Sequence, residues 1–238
     1  MQSIRTTVCA VRPLFAAVGL FSACSTALAG PVWDIDLEDD AKQTASDAQI
    51  ITTLHTTTSI IGRLGGFGLV GADFVDMYQV TITEQTLLSI STAGGALGGN
   101  ASFDSQLFVF KRKGGNGNNV RALGLKANND AAIGNFGSRI GEELDPSSDY
   151  TLLSPGTYYI AIAGIGTNPV DEFGNLIWSD LGAAGLTMSG NETSLGDWAG
   201  QGAVGEYTIR LQMSSNFVPA PGALAVLACA GLVGRRRR

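Results

Sequence analysis

Cysteine is nearly missing from this sequence, and the little there is lies at the ends. Of three Cys in 238 residues, Cys9 and Cys24 stand near the start and Cys229 near the finish, so residues 30–217 hold no thiol. That stretch can form no disulfide, no thiolate nucleophile and no Cys-ligated metal site. Histidine is scarcer still. His55 is the single one, which excludes two-histidine zinc and haem sites and leaves any Ser-His-Asp arrangement dependent on this residue. It sits in Thr52 to Ser59, a Thr-rich run that reads as strand, since Thr is a good strand former. Charged residues are few, at 15%, and unevenly placed. All 21 acidic residues lie between Asp34 and Glu206, whereas six of the 15 basic ones (Arg5, Arg12 and Arg235 to Arg238) lie at the ends. The stretch between therefore sets nine basic against 21 acidic residues, a balance of −12. A body that acidic repels phosphate backbones and argues against nucleic acid as a partner. Long apolar runs are absent too. The two apolar segments, near the start and near the finish, fall short of the ~17–25 residues that a permanent membrane span needs.

What the ends contain reads as addresses. Arg5 and Arg12 precede the short apolar run Leu14 to Leu20, and Ala27-Leu28-Ala29 supplies a small-x-small cleavage site before Gly30. Residues 1–29 are thus expected to be a signal peptide cut by signal peptidase, with Ala27 and Ala29 as the recognised small residues. Phe21-Ser22-Ala23-Cys24 offers a competing lipoprotein reading, for which Phe is a poor first residue. At the far end, Val218-Pro219-Ala220-Pro221-Gly222 leads into Ala223 to Gly234 and then four arginines, Arg235, Arg236, Arg237 and Arg238. A short apolar segment closed by a basic cluster is a stop-transfer device, with the arginines held on the cytoplasmic side.

That tail, residues 218–238, resembles the PEP-CTERM sorting signal of Gram-negative bacteria, also labelled the ice-binding protein C-terminal domain. The parts that carry the likeness are Val218, Pro219, Pro221 and Gly222, the apolar helix, and the arginine cluster, in that order. The family's usual Glu between the prolines is Ala220 here. The resemblance implies recognition by an exosortase-type protease, transient anchoring in the inner membrane, and delivery to the cell surface or extracellular matrix. It implies nothing about ice.

Between the addresses, short strands alternate with Gly/Asn-rich turns. Phe74 to Thr83 sets Tyr78, Val80 and Ile82 on one face against Gln79, Thr81 and Thr83, the period of a half-buried strand. Leu88 and Ile90 continue the pattern against Ser89 and Ser91. In Glu206 to Met213, Tyr207, Ile209, Leu211 and Met213 face inward and Arg210 outward. Asp104 to Phe110 and Gly156 to Gly164 are apolar throughout, as central strands are. Turn signals fall at Gly94-Gly95, Gly98-Gly99-Asn100, Gly114 to Asn119 and Asn128-Asn129-Asp130. Asp39 to Ala48 is the one stretch compatible with a helix, and its Ser, Thr and Asp content makes a poor one. The expectation is an all-β fold: one antiparallel β-sandwich or jelly roll over residues 30–217.

Five blocks in this body resemble the bacterial pre-peptidase C-terminal (PPC) domain. They are Asp73 to Tyr78 with the following QVTIT, Ser102 to Leu107, Asn128 to Asp130, Ser154 to Tyr159, and Gly205 to Ile209. One extra residue separates Asp73 from Asp76, and a long Gly-rich insertion, Thr167 to Val204, precedes the last block. The resemblance implies a small β-sandwich, often calcium-binding, that serves secreted enzymes or surface proteins as a binding or stabilising module.

Three chemistries compete for the remaining residues. Gly66-Phe67-Gly68-Leu69-Val70-Gly71 fits G-x-G-x-x-G, yet a strand pattern follows it, so no helix N-terminus is available to hold a pyrophosphate. Asp73, Asp76, Asp104, Asn129 and Asp130 stand at strand starts and turns, and are the candidate calcium ligands, since calcium takes 6–8 oxygens from just such groups. Asx turns and solvated acids are the plainer account of the same residues. Trp178 and Trp198 fall in the insertion, where exposed rings would stack on sugars; otherwise they plug the core. The resulting expectation is an exported, non-enzymatic structural or adhesive module, associated with exopolysaccharide or other envelope components. The alternatives are a secreted hydrolase with an acidic site, or a carbohydrate- or ice-binding module.

Overall fold

The computed structural model describes residues 41–52, 58–65, 73–115, 120–141, 151–181 and 185–215. The signal segment with Ala27 and Ala29, His55, Gly66 to Gly71 and the whole tail from Val218 to Arg238 lie outside the described residues. Among the described residues the chain is built from strands, with a single 3-10 turn at Gly95–Leu97. No helix there is long and apolar enough to cross a membrane.

Two sheets face each other. The first has the order β1 (Gln49–Ile50), β3 (Val75–Ile82), β10 (Gly156–Gly164), β6 (Ser105–Arg112), β7 (Ala122–Asn128) and β12 (Met188–Ser189). All its pairs are antiparallel except β1 with β3. The second has the order β2 (Ser59–Arg63), β14 (Glu206–Ser215), β4 (Thr86–Ser91) and β8 (Arg139–Ile140). Here β5 (Asn100–Ala101) adds to β14, and β9 (Thr151–Leu153) to β4. The long strand β14 pairs with β2 through its first half and β4 through its second, so it joins the sheet end to end.

Alternation decides what lies between the sheets. Tyr78, Val80 and Ile82 of β3, Leu107 and Val109 of β6, and Ile160 and Ile162 of β10 meet Ile60, Leu88, Ile90, Ile209 and Leu211 of the second sheet. Arg210, between two of these, stays exposed. The period-two reading of β3, β4 and β14 therefore describes their faces correctly, and the fold is the expected all-β sandwich.

A polar chain crosses this apolar interior. The Tyr207 hydroxyl donates to Asp76 Oδ2 at 2.5 Å, and the Tyr78 and Tyr207 hydroxyls lie 2.5 Å apart. Tyr207 has one proton and gives it to the carboxylate, so Tyr78 is the donor in the second bond. Burial first, then the neighbouring Tyr78 and Asp76, push the Tyr207 hydroxyl well above the ordinary tyrosine range. Gly62, directly across from Tyr207 in the β2–β14 register, makes room for the ring: a Cβ there would stand 2.3 Å from the hydroxyl oxygen.

The outer face of the first sheet is buried as well, as the uniform apolarity of β6 and β10 implies; the sequence did not show what covers it. Val75, Met77, Phe108, Phe110, Tyr159, Ala161 and Ala163 form a second core with Ile177 and Trp178. The cover is the insertion that follows β10. It carries the two-stranded sheet of β11 (Asn168–Val170) and β13 (Asp197–Ala199) and returns β12 to the edge beside β7. A third layer thus explains why β6 and β10 are apolar on both faces. Asp39 to Ala48 supplies no helix in its described part: Thr44 to Asp47 is a turn, closed by Asp47 N–H on Thr44 O and by the Thr44 hydroxyl on the Asp47 carboxylate.

Candidate metal centre

At one end of the first sheet, β6 begins and β7 finishes. Their register pairs Leu107 with Asn128, and carried one residue further it sets Gln106 across from Asn129. Asp104 and Gln106 share a face, two residues apart, with Phe108 and Phe110 beyond them. The loop after β7 is fastened here by small polar side chains that are themselves fully buried. The single Ser138 hydroxyl proton is shared between Ser105 O and Asn129 O, and the Ser138 N–H bonds the Thr92 hydroxyl, which meets the Ser105 hydroxyl at 2.8 Å. Asn128 accepts from Arg139 N–H at 2.7 Å and donates to Asp130 O and Leu186 O. Every member of this network has partners, so the loop is held in one arrangement.

That arrangement gathers oxygens which have none. Asp104 Oδ1, Gln106 Oε1, Asn129 Oδ1 and Asp130 Oδ1 are all buried and accept no hydrogen bond. Gln106 is 3% exposed and Asn129 6%. A buried oxygen without a donor costs about 1–3 kcal/mol, more for a carboxylate, and here there are four: Asn129 and Asp130 are consecutive, Gln106 faces Asn129, and Asp104 precedes Gln106 by two residues. Asn129 Nδ2 reaches Asp130 Oδ2 at 3.3 Å, which turns the amide so that its oxygen is the atom left over. Burial, and after it the carboxylate of Asp130, raise the Asp104 carboxyl above its usual range. Two acids approach each other closely enough for the charge of one to disfavour that of the other.

A turn acid elsewhere in the same molecule shows the contrast. Both oxygens of Asp171 accept locally, from Phe173 N–H, Asn175 N–H and Asn175 Nδ2, and those bonds lower its carboxyl below the usual range. An Asx turn satisfies itself. The group around Asp104 does not, and a bound hard cation is what its donor set fits: carboxylate and amide oxygens only, with no sulfur or imidazole. Among the described residues no three His, Cys, Asp or Glu side chains gather to hold a metal ion, and the oxygens gathered here are two carboxylates and the amides of Gln106 and Asn129.

The five expected ligands are thereby divided. Asp104, Asn129 and Asp130 come together. Asp76 does not join them: it shares the parity of Tyr78 and Val80, faces the sandwich interior, and is held by Tyr207 with no exposure to solvent. Asp73 lies beside the start of β3, on the far side of β10 from Asp104, and its Oδ1 accepts Val75 N–H at 3.1 Å. Gln106 was missed. The signal was a polar residue two positions from Asp104 on a strand face otherwise given to Phe108 and Phe110.

The two tryptophans differ in burial: Trp178 is buried, and Trp198 is half-buried on β13. The Trp178 ring centroid lies 5.6 Å from that of Phe108 and from that of Phe110. Trp198 packs edge-on against Phe108 at 5.3 Å, and its indole N–H donates to Gln43 O. Both pack on the second core, the plugging role weighed for them from the sequence, and the cause is plain: the outer face of β6 needs an apolar cover.

Among curated proteins, none matches the chain. Residues 74–164, which run from the start of β3 to the end of β10 and include Asp104, Gln106, Asn129 and Asp130, match the family model of the bacterial pre-peptidase C-terminal domain.

Proposed function

We propose that this chain is an exported, non-enzymatic β-sandwich module of the bacterial envelope or matrix, with a calcium-class cation seated at one end of its first sheet. The observation that carries the reading is the set of four buried, unpartnered oxygens of Asp104, Gln106, Asn129 and Asp130. Bound there, the cation supplies positive charge that removes the repulsion between Asp104 and Asp130 and ties the start of β6 to the end of β7. The chain's own residues do the rest: the Thr92–Ser105–Ser138 network holds the loop, and Asn128 fixes its entry.

Export and sorting rest on the sequence at the two ends. The basic-apolar-small order of residues 1–29 serves signal peptidase. The Pro-x-Pro-Gly motif, apolar segment and arginines of residues 218–238 serve a PEP-CTERM-type exosortase that delivers the body to the surface. The role there is structural or adhesive, in contact with exopolysaccharide or another envelope component.

Fractionation of the producing bacterium tests the reading. The intact chain partitions to the envelope or matrix and leaves it on washing with chelator, whereas deletion of Arg235 to Arg238 changes the compartment. Retention that is indifferent to both chelator and deletion contradicts the proposal.

A further inference from the structure

The candidate cation site is ringed by apolar side chains that point into solvent. Ile133 is 94% exposed and Phe136 64%, and Ile165 and Leu186 are exposed as well. Single exposed apolar residues are ordinary on a protein surface. These four are half of the eight large exposed hydrophobics among the described residues, and all four belong to segments bonded to the site itself. Phe136 O accepts Ser105 N–H, and Ile165 N–H donates to Asp104 O. Gly185 N–H donates to Asp130 O, and the next residue, Leu186, receives Asn128 Nδ2.

Ile133 occupies the most telling position. Ala131 N–H bonds Gly137 O and Asn135 N–H bonds Ala132 O, so residues 132–135 form a tight turn at the tip of the loop after Asp130. Gly134 takes φ +78 as the turn requires. Such a tip usually carries Asn, Asp, Gly or Ser. Here its apex is an isoleucine, with no apolar neighbour to bury it.

We propose that this end of the sandwich docks on an anionic lipid surface through the bound cation. The inference rests on the cation site proposed above. Calcium takes 6–8 oxygens, and the four side chains identified leave positions for headgroup phosphate oxygens. The charge logic favours a lipid over a neutral partner: the mature body carries a balance of −12, so an anionic surface repels it until a cation stands between the two. Ile133, Phe136, Ile165 and Leu186 then enter the acyl boundary around the bridge, as apolar side chains of interfacial segments do. Ile133, Ile165 and Leu186 are aliphatic tips that suit acyl chains, and the Phe136 ring enters the same apolar boundary beside them.

The test is sedimentation of the purified protein with phosphatidylglycerol-rich or purely phosphatidylcholine vesicles, in calcium and in chelator. The double variant Ile133→Ser/Phe136→Ser is carried alongside, and calcium binding by both proteins is measured by calorimetry. Both positions are exposed, so the variant keeps its fold and its calcium affinity. The expected result is calcium-dependent sedimentation with phosphatidylglycerol vesicles alone, weakened at least about tenfold in the variant because two buried apolar side chains are lost. Wild-type protein that binds calcium but no vesicle overturns the docking and leaves the cation site standing. So does a variant that sediments as well as wild type, or calcium-dependent binding to an acidic polysaccharide in place of vesicles. Failure of the wild-type protein to bind calcium overturns both proposals.

Discussion

Trp178→Ala tests whether the insertion after β10 is a packed layer. Trp178 is buried against Phe108 and Phe110, and truncating a buried Trp costs about 3–5 kcal/mol, transfer and cavity together. In a domain of this size, a shift of 2–4 °C per kcal/mol makes that a fall of roughly 10 °C in Tm. Gly124 gives the test a second arm. A Cβ on Gly124 would stand 2.6 Å from Ile177 Cγ2 and 3.0 Å from Trp178 Cη2, so Gly124→Ala alone overpacks the site at about 1–3 kcal/mol. In the Trp178→Ala background part of that clash disappears, and the second substitution costs less than it does in wild type. The double-mutant cycle therefore closes with a coupling of at least about 0.5 kcal/mol in the compensating direction. Thermal and urea unfolding of the four proteins measure it. A Trp178→Ala cost under about 1 kcal/mol places the indole outside the core, contrary to the argument. Strict additivity removes the contact with Gly124.

Two further perturbations address the polar groups. Tyr207→Phe deletes the hydroxyl that donates to buried Asp76, and loss of a bond to a charged acceptor costs about 1.5–3 kcal/mol; urea unfolding with an unchanged m-value checks this, and a neutral substitution contradicts it. The second concerns pH. Asp104 has its folded pKa raised, by burial first and Asp130 second. In chelator the folded state holds the Asp104 proton more tightly than the unfolded chain does, so stability falls as pH rises from the ordinary carboxylate range through the raised value. Calcium binds the deprotonated form, so the stabilisation it confers grows over that same interval. The difference in Tm between calcium and chelator, followed from about pH 4 upward, measures this, and a difference that does not change with pH contradicts it.

Strands that meet the core on one face and solvent on the other were plain in the sequence, because period-two alternation is what such a surface imposes. β4, β14 and the second half of β3 are of this kind, whereas Val75 and Met77 in the first half of β3 face the second core. β6 and β10 gave only half their meaning. Their uniform apolarity showed burial on both faces, but the cover arrives from residues more than a dozen positions downstream, in a Gly-rich stretch with little periodicity of its own. The two tryptophans and the outer faces of Phe108 and Phe110 are each other's explanation, and neither segment names the other. The same parity rule separates Asp76 from Asp73. Asp76 falls in step with Tyr78, Val80 and Ile82, which places it between the sheets, whereas grouping the two by closeness in the chain puts them at one site. Asp104, Asn129 and Asp130 were legible as a group because strand starts and turn ends pack together in a sandwich. Gln106 was not, since its one signal, a polar residue in step with Asp104 on an apolar strand face, gains its meaning only when the facing strand is known.

Calorimetric titration of calcium into the protein and into Asp104→Asn/Asp130→Asn tests the central claim most directly. The account predicts saturable one-site binding to the wild-type protein, with a rise in Tm that grows with free calcium as mass action requires. In the double variant, which keeps the shape and removes both charges, that binding and that rise are lost. No binding to the wild-type protein, or equal binding to both, contradicts a metal centre at the junction of β6 and β7.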